Sequence, residues 1–265
     1  MSVAFSQSSQ TQIAAAGTAI SARLANTNTN ALVVGGTWGL GSAANVAVTD
    51  TAGNSWVTAY TDSDAGNIQS VGLWYALNIA TASVNTVTLT TPSADFRALT
   101  IHEYSGVKTT TASDGTKEVQ ASVTNVSAGT VTTTVGGDLL FGWAVNTGGA
   151  NLLTATNSAT TRERSTAGVI FSSADSVQAA AGAGNITWTM PAADTSIAGM
   201  LALKAALVNA SDDVVLRMGA ITSLVAGSFL VTGAFAATSG AVVLGGGAYF
   251  KRRRMSDGMC TIEDF

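Results

Sequence analysis

Apolar and polar side chains alternate with a period of two through most of residues 1–206, in short runs broken by Gly, Asn, Asp and Ser. The runs "NALVVGGTW" (30–38), "SVGLWYALNI" (70–79), "VNTVTLTT" (84–91), "ALTIHEYSGV" (98–107), "GTVTTTV" (129–135), "DLLFGWAV" (138–145), "NITWTM" (185–190) and "IAGMLALKAA" (197–206) each read as a strand. In 84–91, Val84, Thr86, Thr88 and Thr90 share one face and Val87 and Leu89 the other, the pattern of a strand buried on one side. Trp74 and Tyr75 are adjacent, so the alternation predicts that only one of them is buried. "DTAGN" (50–54) and "DSDAGN" (62–67) each carry a glycine that can take a positive φ and read as hairpin connections. The expectation is an all-β fold, an antiparallel β-sandwich or jelly-roll-like domain over residues 1–206.

The pattern changes after a polar linker at 207–217. From Met218 to Phe250, 33 residues contain no Asp, Glu, Lys, Arg, His, Asn, Gln or Pro. About 20 apolar residues suffice to cross a bilayer as a helix, so 218–250 is expected to form one C-terminal transmembrane helix, with its span near Leu224–Ala248. Tyr249 and Phe250 would anchor it at the interface, and Lys251, Arg252, Arg253 and Arg254 would stop it as a cytoplasmic basic flank. Gly233, Ala237, Ala241 and Gly245 recur every four residues and offer a small-residue face for helix packing. Residues 251–265, basic and then acidic, are the expected cytoplasmic tail, with the N-terminal domain outside. No basic segment followed by an apolar core opens the chain, so no cleaved leader is expected.

Composition narrows the function. Charged residues make up only 11% of the chain, and its net charge of −4 includes a body that is more acidic than its tail. Phosphate neutralisation needs clustered Lys and Arg, so nucleic acid is set aside as a partner. A single cysteine, Cys260, excludes an internal disulfide framework.

The series "VTDTAGNSWV", "LWYALNIATASVNTVTLTT", "FRALTIHEYSGV", "VTTTVGGDLLFGW" and "MLALKAA" resembles a domain that recurs in large secreted and cell-surface proteins of environmental bacteria. The resemblance covers nearly all of residues 1–206 in order. It implies an extracellular β-sandwich with no assigned activity and no residue roles.

Candidate chemistry is sparse. His102, the only histidine, is followed by Glu103, but neighbours on a strand face opposite ways and cannot grip one substrate. Glu103 shares a face with Leu99 and Ile101. If that face is core, its carboxylate needs a partner, and Arg97 has the right parity for a buried polar pair. Asp62, Asp64 and Asn67 offer oxygens to a Ca²⁺ ion in a loop, yet position twelve from Asp62 is Leu73, so no EF-hand is present. Five tryptophans, with Tyr60 and Tyr75, either fill the core or stack on sugars. Sequons stand at Asn125, Asn185 and Asn209.

No nucleophile–base pair or informative carboxylate spacing emerges, and no cofactor is implied. The expected function is structural: a membrane-anchored surface protein whose sandwich packs against copies of itself as a homo-oligomer or lattice. An adhesin or glycan-binding surface module, or a virion capsid or spike component, is the alternative. The N-terminal segment 1–24 is long enough to add a strand to a neighbour's sheet.

Overall fold

A computed structural model describes residues 3–39, 45–64, 66, 69–149, 151–206, 242–244 and 248–250 of the chain. It divides into two compact units, Met1–Leu207 and Val208–Phe265. Among the described residues the first contains sixteen strands. β1 (Ala4–Ile13), β2 (Gly17–Asn26), β3 (Ala31–Gly39), β4 (Ala47–Asp50), β5 (Trp56–Ser63), β6 (Gln69–Ala76), β7 (Ala82–Ala94) and β8 (Arg97–Ser105) form its first half. β9 (Ser113–Ser127), β10 (Val131–Thr133), β11 (Leu139–Asn146), β12 (Thr154–Ala155), β13 (Thr160–Arg164), β14 (Phe171–Val177), β15 (Gly182–Gly184) and β16 (Thr187–Leu203) form its second. All pairings are antiparallel, so the all-β expectation holds.

The unit is built in layers. A five-stranded sheet, ordered β1-β8-β3-β6-β5, faces a sheet in which β16, β11, β14 and β13 are successive neighbours and β9 pairs with β16. The core between them includes Val33, Leu73, Tyr104, Phe141, Trp143 and Ile197. A smaller sheet, β2-β7-β4, covers the outer face of the first main sheet, burying Ile20 and Leu89 against Leu32, Trp74 and Ile101. Val131, Ile186 and Trp188 cover the outer face of the second, over Leu140, Ala144 and Met200.

This layering explains why Trp74 and Tyr75 are both buried, where alternation predicts one: they serve two different cores on opposite faces of β6. β7 keeps the expected one-sided pattern, with Val87 and Leu89 buried and Val84 60% exposed. The "DTAGN" stretch has its positive-φ glycine, Gly53 (φ 74°), but joins β4 to β5 across two sheets and is no hairpin. β5 and β6 do pair around the second stretch. The N-terminal segment is spent within the molecule, β1 on β8 and β2 on β7, so it is not a free donor strand.

The second half repeats the first. The order β1-β8-β3-β6-β5 recurs as β9-β16-β11-β14-β13, and β2 on β7 recurs as β10 on β15. Irregularities recur with it. β1 shifts register between Phe5 and Gln7, opposite Tyr104 and Glu103, and β9 shifts between Gly115 and Ser113, opposite Ala202 and Leu203. β5 has a bulge between Thr58 and Tyr60 where β13 has one between Thr161 and Glu163. Thr29 and Gly137, just before β3 and β11, both take positive φ (68° and 88°), and each donates its N–H to an equivalent carbonyl, Ile79 O and Gln178 O. The sequence retains a trace: "TLTTPSAD" (88–95) against "TWTMPAAD" (187–194), which include both prolines of the chain. Bulges persist in families as fixed local features, and two of them in matching register, with matching turns, define an internal duplication.

In the second unit, Val242–Leu244 and Ala248–Phe250 (β17 and β18) pair antiparallel, Val243 opposite Tyr249. These six residues fall within the expected helix 218–250, most of which lies outside the described residues. Val, Tyr and Phe favour strands, and the intervening Gly245-Gly246-Gly247 disfavours helix. The remainder of the expected helix, its packing residues Gly233, Ala237, Ala241 and Gly245, the linker 207–217 and the tail with Lys251–Arg254 lie outside the described residues. No helix among the described residues is long and apolar enough to cross a membrane.

Candidate functional site

The richest set of titratable groups lies between the two main sheets, where β8 of the first half meets β13 and β14 of the second. Arg162 is the extra residue of the β13 bulge. Its Nε donates to Asp175 Oδ2 at 2.7 Å, and the Tyr104 hydroxyl donates to the same oxygen at 2.6 Å. The Arg162 guanidinium also stacks 4.0 Å above the Phe5 ring. Burial, and then the negative charge of Asp175, push the Tyr104 pKa well above its ordinary value, so it remains a donor. One face along, His102 packs on Phe141 with ring centroids 4.8 Å apart, and neither ring nitrogen has a hydrogen-bond partner. Burial, followed by the Arg162 charge, lowers its pKa to about 3, so the ring is neutral.

By composition this is an acid–base set. Its geometry is that of a cross-link: Tyr104, His102 and Asp175 are buried, and the Asp175 oxygen that faces the donors is already shared by two of them. A general base needs a substrate proton within reach, and these side chains are enclosed by the two sheets.

Glu103, on the opposite face of β8, is fully buried as the parity argument requires. Arg97 is not its partner. Six residues along one strand separate them by about 20 Å. Glu103 Oε1 instead accepts the Thr27 amide and Asn30 Nδ2, each at 2.8 Å, and Oε2 accepts Gln7 Nε2. Arg97 donates to the carbonyls of Ala94 and Ala15, both at 3.1 Å. Glu103 is held by amides and Arg97 by carbonyls, with the Arg97 Nε buried and unpartnered.

Asp62, Asp64 and Asn67 do not form a metal centre among the described residues. Asn67 lies outside them, Asp64 accepts the Gln69 amide at 3.3 Å, and no group of three or more His, Cys, Asp or Glu side chains able to hold a metal occurs among those described. Asp62 turns to β9. It accepts Gln120 Nε2 at 2.6 Å and lies close enough to the Glu118 carboxyl for its charge to act on it. Burial first, and Asp62 second, raise the Glu118 pKa to about 7. Nothing in the sequence places β9 beside β5, and Glu118, Arg162 and Asp175 are all missed by sequence reasoning for the same reason: their partners are remote along the chain.

Of the five tryptophans, Trp38, Trp74, Trp143 and Trp188 are core, and Trp56 is half-buried. Tyr75 is core as well. The aromatic that reaches a concavity is Phe96, in an open cleft of about 520 Å³ lined also by Gln12, Gln69, Asn146, Val169 and Ile170. Asn125 is exposed on β9, Asn185 is partly buried and bonded to Ser127, and Asn209 lies outside the described residues.

The fold and these sites together define a class: a layered, antiparallel β protein of two like halves, with titratable groups buried between its main sheets. Comparison takes the assignment no further, since no family model, no curated protein and no solved structure matches the chain.

Proposed function

We propose that the chain is a structural unit of a surface assembly: a rigid double β module, held at a membrane by its C-terminal segment, that packs laterally against copies of itself. The observation that carries this reading is the use made of the polar residues. Glu103, Tyr104, Asp175, Arg162 and Arg97 all tie strands or loops together by hydrogen bonds, and His102 packs on Phe141 between the main sheets. The first half orders its main sheet β1-β8-β3-β6-β5 with β2-β7-β4 on the outside, close to a jelly-roll order except that β5 joins the main sheet beside β6. That architecture serves capsid and lectin domains, a fold-level analogy. Placement of the body outside a membrane rests on the apolar run 218–250 and its basic flank, and on the resemblance to bacterial surface domains. Fractionation and electron microscopy of the full-length chain test it. Sedimentation with membranes or particles and an ordered array support the reading, and a monodisperse monomer in detergent-free extract overturns it.

The end cleft favours a second reading, capture of a neutral glycan. Its lining pairs the Phe96 ring with the amides of Gln12, Gln69 and Asn146 and includes no charged side chain. Glycan-array binding lost on Phe96→Ala, with folding intact, would favour this reading over assembly.

A further inference from the structure

Where β16 ends, the second half carries a charged set that the first half lacks. Asp114 is the extra residue of the β9 bulge, between Ser113 and Gly115. Bulges re-aim a side chain, and this one brings the Asp114 carboxylate onto Lys204, whose Nζ lies 3.2 Å from Oδ1. The Asp114 side chain is 4% exposed and that of Lys204 28%, so the carboxylate is withdrawn from water as it would not be in an ordinary surface ion pair. The Thr134 amide and hydroxyl donate to the same carboxylate, the hydroxyl to Oδ2 at 2.8 Å. One step beyond the Leu139–Leu203 pair, the β11–β16 ladder sets Asp138 opposite Lys204. Asp138 is fully buried. Its Oδ1 accepts the Ala205 amide at 2.9 Å, and its Oδ2 has no hydrogen-bond partner.

We propose that this ion pair is the precursor of a covalent cross-link, an amide between Lys204 Nζ and Asp114 Cγ. One proton passes from the ammonium to Oδ1 within the pair, leaving a neutral amine and a carboxylic acid. The Nζ lone pair then adds to Cγ, forming the N–C bond. Negative charge develops on Oδ2, where the Thr134 donors stand. Asp138 gives its proton to Oδ1 and takes the one that Nζ sheds, so it ends as it began. The Cγ–Oδ1 bond breaks with its electron pair on oxygen, and water leaves. Ammonium and carboxylate become amide and water, and nothing is oxidised or reduced. Burial raises the Asp138 pKa above the usual carboxylate range, which suits a group that starts protonated. In open water such a pair does not condense, because solvent stabilises both charges. Here the reacting groups are held in contact, which for well-oriented pairs equals an effective concentration of about 10⁵–10⁸ M. Both carboxyls are also shielded from water.

The first half shows the same corner without the reactive groups. Its bulge residue is Ser6, between Phe5 and Gln7, where the second half has Asp114. Ser105, next after Tyr104, stands where Lys204 follows Leu203, and Asn30 precedes β3 as Asp138 precedes β11. All three members of the set therefore occur together in one half and are all replaced in the other. The bond closes residues 114–204, nearly the whole second half, into a covalent ring, just before the boundary of the unit at Leu207. A chain with one cysteine cannot close such a ring by a disulfide. The cross-link forms whether or not copies of the chain assemble.

Mass spectrometry of the full-length protein under denaturing conditions tests this. The chain is expected to be lighter than its sequence by one water molecule, and protease digestion should yield a branched peptide that joins the segments holding Asp114 and Lys204. Lys204→Arg keeps the ion pair but has no amine to acylate, and should show the full sequence mass. Asp138→Asn keeps an acceptor for the Ala205 amide but loses the proton carrier, and should leave most of the chain unlinked. The branched peptide of the wild type decides the matter even where a variant does not fold. A wild type at the full sequence mass overturns the cross-link. So does a water loss that persists in Lys204→Arg, which would belong to a ring closure elsewhere, such as the Asp114-Gly115 backbone. Complete linkage in Asp138→Asn overturns the role given to Asp138.

Discussion

Trp143 packs on Gly35, its own structural counterpart in the other half of the molecule. A Cβ at position 35 would lie 2.5 Å from the Cε3 ring atom of Trp143. β3 and β11 cross at the centre of the sandwich, and the counterparts meet there because the two halves face one another. Had both positions kept the same residue, two indoles would collide or two glycines would leave a void. The duplicated halves have diverged here into a large and a small partner.

That complementarity predicts coupling between the two sites. Gly35→Ala should cost about 2 kcal/mol through overpacking, and Trp143→Leu about 3 kcal/mol through lost burial. The double variant should be more stable than the sum of the singles by about 1 kcal/mol, because the smaller side chain makes room for the new methyl. Strict additivity in denaturant unfolding would show that the contact is incidental.

The Asp175 network gives a second, graded expectation. Tyr104→Phe removes one donor from a carboxylate that keeps Arg162, and should cost about 1 kcal/mol. Asp175→Ala leaves a buried hydroxyl and a half-buried guanidinium unpaired and should cost about 3 kcal/mol or more. Equal losses from the two variants, measured by chemical denaturation, would mean that the carboxylate is not the hub.

Much of this architecture was visible in the alternation along the chain, and the limits of that signal are instructive. β3, β7, β8 and β11 stand out because Val, Leu, Thr and aromatics alternate between clear turns. β1 and β9 do not, since they lie at the sides of the sheets and carry Ser, Thr and Gln on both faces. Alternation also cannot report that a strand is covered twice, which is why it allows only one of Trp74 and Tyr75 to be buried. The Arg97–Glu103 pairing failed on distance along the strand, although both share the buried face that their parity allowed. The duplication left a mark in "TLTTPSAD" and "TWTMPAAD", but a run of eight in a Thr- and Ala-rich chain is hard to separate from chance without the matched bulges.

Glu103 tests whether a buried carboxylate without a cation is held by amides alone. Glu103→Ala strands the donors Thr27 N–H, Asn30 Nδ2 and Gln7 Nε2, and a loss of about 3 kcal/mol is expected. Arg97→Met should be milder, near 1–2 kcal/mol, because carbonyls bereft of one donor are less costly than buried N–H groups. Coupling between these two substitutions should be absent. A cycle energy above about 0.5 kcal/mol would restore the direct pairing that the hydrogen bonds argue against.

His102 sets the acid limit of the fold. The ring is neutral in the folded state down to about pH 3 because burial, and then Arg162, oppose its charge, whereas the unfolded chain protonates near 6.5. Between these values the unfolded state binds more protons, so stability must fall as pH drops below about 6.5 and stop falling near 3. The full difference amounts to roughly 5 kcal/mol for so deeply buried a ring. His102→Phe conserves an aromatic ring against Phe141 and removes the titration, so its stability should be flat through this window apart from the carboxylates. Glu118, whose pKa burial raises to about 7, slopes the opposite way over part of the same range, its contribution growing as pH falls. Unfolding should therefore be followed in His102→Phe, in Glu118→Gln and in the double variant. An acid-induced loss between pH 6 and 4 that is as steep in His102→Phe as in the wild type would place the acid sensitivity elsewhere in the molecule.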